Sequence, residues 1–362
     1  MLDMRVASGE TVRAGGFQTG RRDDVRGGGG SRSPVAAGRA SGRGRDLLKS
    51  GFQTTLADRI EIRGLGVHSA APARLILHPA DVDSGIVILR TGLPGGRERL
   101  IEAKWSNVTQ TSLCTVLGDS NGAGVATVEH LLAALSGLQI DNAIVEIDGP
   151  EIPIMDGSAA QFIDAIDAVG AASQSRRRRY LKVLKPLHVE HGRSRAEFRP
   201  AARGFHLDVE IDFEGAAIGR QRRAFDVGPE VFRREIGRAR TFGYVADVKK
   251  LWQAGFALGS SLENSVAIDG EAILNPEGLR YCDEFVRHKA LDAIGDLSLA
   301  GAKIVGAYHV YRPGHTINAL ALSALFADRK AYEIVEGSPR PYRAGAGAQV
   351  GLAATAWAAN AD

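Results

Sequence analysis

The sequence predicts an α+β fold in two halves of similar size. Its 362 residues suit about two domains of ordinary length, each large enough to bury a core. Short β-branched runs alternate with segments of helical spacing, and the alternation restarts after a polar, arginine-rich segment near the middle of the chain. Hydrophobic residues make up 44% and charged residues 24% of the chain, which is the balance of a soluble globular protein.

The first half is predicted to be an N-terminal α+β domain over residues 51–173. Helical spacing of Val128, Leu131 and Leu135 predicts a helix that Gly137 ends. A second helix is expected over residues 159–169. Strands are expected where β-branched residues form short runs bounded by proline or glycine, at residues 75–77, 86–89, 112–117 and 143–147.

The second half is predicted to be a C-terminal α+β domain over residues 181–330. Between the halves, residues 174–180 with their four consecutive arginines are predicted as a linker. The alanine- and glycine-rich residues 331–362 are predicted as a C-terminal tail. In this half we expect strands at residues 181–184, 205–211 and 305–310, and helices at residues 229–236, 283–299 and 317–325.

The positive net charge of the chain lies in its first 50 residues, which are predicted as a disordered basic tail. They hold nine arginines and one lysine against five acids and carry +5, which leaves −2 for the remaining 312 residues. An organelle transit peptide and a start codon assigned too early are the alternatives for this segment. Because a nucleic-acid-binding protein would spread positive charge over a folded face, we expect no nucleic-acid partner.

Cysteine content and hydropathy exclude further classes of protein. Cys114 and Cys282 are the two cysteines, without a CxxC pair, so a disulfide scaffold and a thiolate zinc finger are excluded. No run approaches the ~20 apolar residues of a membrane helix, and the N-terminus lacks the apolar stretch of a secretory signal. We expect a cytoplasmic monomer, with peripheral contact with a membrane surface.

Residues 286–296 carry the sharpest chemical pattern. On a helix His288 and Asp292 share one face, where an imidazole nitrogen and a carboxylate oxygen could ligate one zinc ion. Asp296 lies one turn further along the same face. The alternative at this spacing is a surface ion pair between His288 and Asp292.

Three further segments carry weaker patterns. Glu129 and His130 are adjacent at a predicted helix start, where His130 could ligate a metal and Glu129 could face its bound water; the alternative is a half-buried helix start. His315 follows Pro-Gly and is expected in a turn beside a strand end, as a catalytic or a surface histidine. Residues 149–158 hold two prolines and two glycines, which indicates a rigid loop. Together His130, His288 and Asp292 supply the three protein ligands of a catalytic zinc, although no HExxH motif occurs.

Four segments, which follow one another in the family's order, resemble the UDP-3-O-acyl-N-acetylglucosamine deacetylase family of zinc amidases in lipid A synthesis. The resemblance covers about residues 52–327 and rests on TVEHLLAALSGLQIDNAIVEIDGPEIPIMDGSAAQFI, RARTFGY, LRYCDEFVRHKALDAIGDL and YRPGH. It implies two domains of similar two-layer α/β sandwich topology, packed face to face with the active site at their interface. It also implies hydrolysis of the acetamide of UDP-3-O-(3-hydroxyacyl)-N-acetylglucosamine to acetate and a free amine, the committed step of the pathway.

The resemblance also implies residue roles. Zn²⁺ would be held by His130, His288 and Asp292. Catalysis would use Glu129 as general base, His315 as general acid oriented by Asp296, and Thr241 to stabilise the oxyanion. Substrate would be bound by Lys289, Phe242 and His68, and an insert within residues 242–262 would form the acyl passage.

One departure and two rival functions accompany this interpretation. The family usually has glycine where this chain has Ala70 after His68 and Ser69, which affects a loop but no zinc ligand. Another zinc hydrolase on the same scaffold would act on a different amide. A protein that binds anionic lipid or nucleic acid would instead use the basic tail and the arginines at 176–179.

Overall fold

The computed structural model describes residues 51–118 and 123–337, which belong to one compact unit. The basic tail predicted over residues 1–50 lies outside the described residues, as does the C-terminal tail from residue 338 onward. The α+β fold class is confirmed, since helices and several sheets share one core. The expected division into domains 51–173 and 181–330 stays a prediction.

The described part of the chain contains nineteen strands and five helices of eight or more residues. The helices are α1 (Glu129–Gly137), α2 (Ala160–Val169), α3 (Val245–Gln253), α4 (Glu284–Ser298) and α5 (His315–Ala327). The strands are β1 (Phe52–Leu56), β2 (Ile60–Leu65), β3 (Pro72–Pro79), β4 (Ile86–Leu93), β5 (Arg97–Glu102), β6 (Val108–Gln110), β7 (Val116–Leu117), β8 (Ala143–Ile147), β9 (Ala171–Arg177), β10 (Arg179–Val183), β11 (Leu187–His191), β12 (Ser194–Arg199), β13 (Phe205–Asp212), β14 (Arg220–Val227), β15 (Phe242–Tyr244), β16 (Val266–Asp269), β17 (Ala272–Ile273), β18 (Lys303–Tyr311) and β19 (Tyr332–Glu336).

Two large mixed sheets carry the helices. The first has five strands in the order β2-β3-β8-β4-β5, with β4 and β8 parallel and the other pairs antiparallel. In the second, β18 pairs parallel with β10 and β13 and antiparallel with β12. Alternate residues of β8 and of β18 are buried, which is the pattern of strands that place one face on the core. Among the described residues, no helix is long and apolar enough to cross a membrane.

Helices α1 and α4 pack directly against each other. Gly295 permits this approach, because a Cβ atom there would lie 2.0 Å from the carbonyl oxygen of Glu129. Every residue of α1 except Ser136 is buried, and so is every residue of α4 except Lys289 and Ser298. A helix buried on all sides is normally apolar. The charged residues of these two helices are therefore buried at a cost that a function has to explain.

The predicted linker at residues 174–180 is instead strand. Residues 171–177 form β9, which pairs antiparallel with β1, and β10 begins at Arg179. Arg178 is 2% exposed, and its guanidinium donates to Asp141 and Gln139. The arginine run is therefore not uniformly solvated, because Arg178, between β9 and β10, is buried and bound to Asp141. The predicted tail after residue 330 likewise begins as β19, which pairs with β10.

Several other predicted elements match closely, and one strand is shorter for a visible reason. The strand at 143–147 is β8, and the helices at 159–169 and 283–299 are α2 and α4, each within one residue of its expected ends. The strand expected over 112–117 is reduced to Val116–Leu117. Leu113 has a φ of 69°, a left-handed conformation that interrupts an extended strand.

Lys303 holds the C-terminal end of α1 from strand β18. Its ammonium donates to the carbonyl oxygens of Ser136 at 3.1 Å and Ile140 at 3.4 Å. These carbonyls lie where a helix leaves acceptors unsatisfied and where positive charge is favourable. Burial lowers the pKa of Lys303 from 10.5 to about 8.

The stability of the protein should gain from deprotonation of Lys303 above pH 8. Between pH about 8 and 10.5 the unfolded chain keeps a proton that the folded chain releases, so the free energy of unfolding rises with pH. Relative to Lys303→Met, the wild type should gain about 2 kcal/mol between pH 7 and pH 10, measured by urea unfolding. Lys249→Met, at an exposed lysine, is the control. If the free energies of unfolding of the wild type and Lys303→Met differ by the same amount at both pH values, the assignment is contradicted.

Candidate metal centre

Three buried side chains converge where α1 meets α4. His130, His288 and Asp292 are 4%, 1% and 3% exposed, and one candidate ligand atom from each lies within 4.8 Å of the others. The Nε2 atoms of His130 and His288 lie 3.5 and 3.3 Å from the same oxygen, Oδ1 of Asp292. The structure therefore brings together the three residues predicted to bind metal.

The local sequence explains this convergence. His288 and Asp292 are four residues apart on α4 and so share a face. His130 stands in the first turn of α1, which the contact at Gly295 holds against α4. The two imidazole rings meet edge to face, with centroids 5.0 Å apart.

The hydrogen bonds of this cluster leave ligand atoms free. His288 donates from Nδ1 to the Ala239 carbonyl oxygen at 3.0 Å, which leaves the lone pair of Nε2 toward Asp292. Burial lowers the pKa of His288 to about 3, so this ring is neutral at physiological pH. Among the described residues, Asp292 Oδ1 and His130 Nδ1 are buried without a hydrogen-bond partner. Two imidazoles and one carboxylate with a free oxygen fit a zinc ion.

The other carboxylate oxygen of Asp292 is bound by Lys289. The ammonium donates to Oδ2 at 2.8 Å, and it also lies 5.5 Å from the centre of the Phe242 ring. Burial alone would raise the pKa of Asp292, but the ammonium of Lys289 and a hydrogen bond with His130 oppose burial, and this pKa is held well below its ordinary value. Asp292 is therefore ionised, the form that binds a cation.

Glu129 lies beside the cluster without joining it. It is 3% exposed, and its Oε2 accepts a hydrogen bond from the Thr115 backbone N–H at 3.1 Å. Its Oε1 is 3.7 Å from Nε2 of His315. Burial raises the pKa of Glu129, an effect that the charges of His315 and His130 oppose.

His315 is held by a buried hydrogen-bond network. Its Nδ1 lies 2.9 Å from Oδ2 of Asp296, which also accepts from Asn318 at 2.9 Å, and Thr115 donates to the other oxygen at 2.6 Å. Burial lowers the pKa of His315, but the carboxylates of Asp296 and Glu129 outweigh it and raise this pKa to about 10. His315 is the first residue of α5, not part of a turn as predicted, because Gly314 already caps the helix.

Among the other predicted site residues, Phe242 reaches this cluster, while Thr241 and His68 are placed by contacts of their own. The Phe242 ring lies 6.2 Å from that of His288, edge to face. Thr241 is fixed by backbone bonds to Gly157 at 2.7 Å and Val266 at 2.8 Å. The His68 ring packs against Phe256 at 6.2 Å. Burial lowers the pKa of His68, although the charge of Glu151 opposes this effect.

Sequence reasoning missed several residues that hold the site together. Thr115 binds both Glu129 and Asp296. Arg240 is 1% exposed and pairs with the fully buried Glu284 at 3.0 Å, which anchors the segment that carries the Ala239 carbonyl. Asn318 could have been found, since it lies three residues after His315 on one helix face. No local pattern marks Thr115.

The geometry supports one kind of chemistry. A carboxylate that can accept a proton and an imidazolium that can donate one lie 3.7 Å apart, beside a cluster suited to zinc. General acid–base pairs of this type cleave bonds whose leaving group must be protonated. Three protein ligands are the arrangement of a catalytic zinc.

Comparison with known proteins agrees with this chemistry. A sequence profile of the family described as LpxC: UDP-3-O-acyl N-acetylglycosamine deacetylase matches residues 53–327. Proteins named UDP-3-O-acyl-N-acetylglucosamine deacetylase from Brucella ovis, Brucella canis and Brucella abortus are each 49% identical to the chain over 286 residues. Each alignment covers 79% of this chain and 99% of the relative. The matched span includes every residue of the centre.

Substitution of Gly295 should separate the two helices and weaken metal binding. In Gly295→Ala the new methyl group meets the Glu129 carbonyl, and overpacking of this kind costs about 1–3 kcal/mol. We expect at least a tenfold weaker zinc affinity, measured by competition with a chromophoric chelator. Gly228→Ala is the control, because its Cβ would have nothing within 4 Å. Wild-type affinity in Gly295→Ala would show that the helix contact does not position the ligands.

Proposed function

The chain belongs to the LpxC family of UDP-3-O-acyl N-acetylglycosamine deacetylases, and from this premise we propose how its residues carry out the reaction. The enzyme is a hydrolase that catalyses the deacetylation step of lipid A biosynthesis. The acetamide of UDP-3-O-acyl-N-acetylglucosamine is cleaved, and water supplies the oxygen of acetate and the hydrogens that complete the amine. The observation that carries the proposal is the buried Glu129–His315 pair beside the three-residue cluster.

The family is one of metalloenzymes, and we propose Zn²⁺ as the ion of this chain. His130, His288 and Asp292 would hold it, because one ligand atom of each lies close to the others in one buried place. A zinc ion supplies Lewis-acid chemistry, which polarises a carbonyl group and lowers the pKa of water to about 7. The Ala239 carbonyl fixes His288 in the tautomer that ligates through Nε2.

Glu129 is proposed as the general base that takes the proton of the attacking water. Its carboxylate is buried, which raises its pKa above the ordinary value and makes it a stronger base. The Thr115 N–H binds Oε2 and so leaves Oε1 toward His315. Glu129 is therefore oriented before the substrate arrives.

His315 is proposed as the general acid that protonates the departing amine. The carboxylate of Asp296 accepts from Nδ1 and holds that proton in place, so the proton that the imidazolium can donate is the one on Nε2, which faces Glu129. The raised pKa of His315 keeps the ring protonated at neutral pH. Thr241 is proposed to stabilise the oxyanion, and Lys289 to contact the polar part of the substrate.

The acyl chain is proposed to bind along residues 242–262. None of the residues of α3 in this segment is buried, and Trp252, Phe256 and Leu258 are 46%, 40% and 50% exposed. His68 packs against Phe256, which connects the proposed chain site to the catalytic groups. Burial of these exposed apolar side chains against a fatty acyl chain would be energetically favourable.

The cellular setting remains our proposal as well. Cys114 is buried and Cys282 is exposed, and both are free thiols. An exposed free thiol suits a reducing cytoplasm. We propose a cytoplasmic monomer that contacts the membrane surface peripherally, where an acylated substrate would partition.

Glu129→Gln and His315→Ala should lose rate while they keep zinc. Each general acid or base contributes about 10²–10⁴-fold, so acetate release should fall by that factor at one zinc per chain. The double variant should lose less than the product of the two single losses, because both groups serve one proton-transfer sequence. Near-wild-type kcat in Glu129→Gln would remove Glu129 from the role of base.

Substrate without its 3-O-acyl chain should react with a much lower kcat/KM. Burial of a chain contributes up to about 0.8 kcal/mol per CH₂, and such remote binding can lower the barrier. Phe256→Ser should narrow the ratio of kcat/KM between acylated and unacylated substrates. Leu100→Ser, at a residue 67% exposed on β5, is the matched control and should leave the ratio unchanged. Equal kcat/KM for both substrates in the wild type would contradict an acyl site.

A further inference from the structure

We propose that Glu151 is a positioning residue that joins the substrate-binding loop at residues 66–71 to the residues that lead into the catalytic helix α1. Its carboxylate is 2% exposed and lies in the rigid segment 149–158, to which the proposed mechanism gives no role. The inference rests on the proposed roles of Glu129 and His68. It adds that the orientations of these two residues are set together by one buried carboxylate.

The Glu151 carboxylate accepts four hydrogen bonds from two separate segments. From the loop come the His68 N–H at 2.9 Å, the Ser69 N–H at 2.9 Å and the Ser69 hydroxyl at 2.7 Å. From the approach to α1 comes the Thr127 hydroxyl at 2.9 Å. Oxygen Oε1 serves both segments, since it accepts from His68 and from Thr127.

Thr127 is the point where this carboxylate acts on the helix. It has a φ of 56°, a left-handed conformation that a β-branched residue rarely adopts. Two residues later the chain reaches Glu129. The neighbouring strand-like contact, in which Ile152 N–H donates to Ala126 at 3.0 Å, brings Glu151 beside Thr127. A strained residue at a functional site persists when its surroundings over-determine it, and the Thr127–Glu151 bond supplies part of that restraint.

The loop is built closely around the same carboxylate. A Cβ atom on Gly66 would lie 2.1 Å from Oε2 of Glu151, so the backbone can approach this closely only as glycine. The loop also contacts the proposed acyl segment, because Leu258 N–H donates to His68 at 3.2 Å and Gly259 N–H donates to Val67 at 3.0 Å. A continuous series of hydrogen bonds therefore connects the acyl segment, the loop, Glu151 and Thr127.

Replacement of the carboxylate by an amide breaks this arrangement in a defined way. Glutamine has one acceptor oxygen, and its NH₂ group would face N–H and hydroxyl donors. Either the loop or Thr127 would then lose its acceptor. A shift of the loop moves His68, and a shift of Thr127 moves Glu129. We therefore expect both substrate binding and the chemical step to suffer.

The first test compares Glu151→Gln with Asp141→Asn in acetate release, zinc content and urea unfolding. Asp141 is a matched control, because it also holds a backbone N–H and a buried partner, Thr54 and Arg178, but at the far end of α1. Both variants should lose stability. Glu151→Gln alone should lower kcat at least tenfold and raise KM at least threefold, with one zinc per chain retained.

The second test remains decisive if Glu151→Gln does not fold. Thr127→Ser keeps the hydroxyl and should retain kcat within about threefold, whereas Thr127→Val has a similar shape without the hydroxyl and should lose at least tenfold. In the Glu151→Gln background, Thr127→Val should add less than threefold further loss, since the two residues share one interaction. Equal kcat in Thr127→Val and Thr127→Ser would overturn the proposal.

Wild-type kcat and KM in Glu151→Gln would also overturn it, as would parallel losses in Asp141→Asn. Failure of the proposed function is a separate result, since it would appear as full activity in Glu129→Gln. Activity lost in Glu129→Gln but kept in Glu151→Gln and Thr127→Val would leave the mechanism intact and remove the positioning role of Glu151.

Discussion

The close approach of helices α1 and α4 at Gly295 is the constraint on which the rest of the site depends. This contact places His130 and Glu129 of one helix against His288 and Asp292 of the other, in a place where water is largely excluded. Buried ionisable groups are costly unless they are paired or bind a metal. The packing that stabilises the fold is therefore also what assembles the ligands, and the ligands are chemically incomplete without a cation.

Two buried carboxylates that contact histidines have different roles in this site. Asp292 faces two histidine Nε2 atoms and keeps one oxygen free, which suits a metal. Asp296 has both oxygens bound by Thr115, Asn318 and His315, which suits an orienting group and not a ligand. Side chains of one type, on one helix, thus receive different roles from the donors that neighbouring elements supply.

Candidate residues of the centre could be identified in the sequence because their spacing is local, although that spacing left a surface ion pair and a half-buried helix start as alternatives. The four-residue separation of His288 and Asp292 and the adjacency of Glu129 and His130 need no knowledge of the fold. Contacts across the chain could not be predicted in this way. Thr115 lies 181 residues from Asp296, and the significance of Gly295 depends on which backbone packs against it. The burial of Arg178 could not be predicted for the same reason, since its partner Asp141 comes from another segment.

The central claim is that this cluster holds one zinc ion and that the ion is required for deacetylation. The most direct measurement is a titration of metal-free protein with Zn²⁺, with bound metal and acetate release followed in the same samples for wild type and His288→Ala. The account predicts that wild-type activity rises with occupancy and saturates at one zinc per chain, while His288→Ala loses metal and activity together. Full zinc occupancy in His288→Ala, or full acetate release by metal-free wild type, would contradict it.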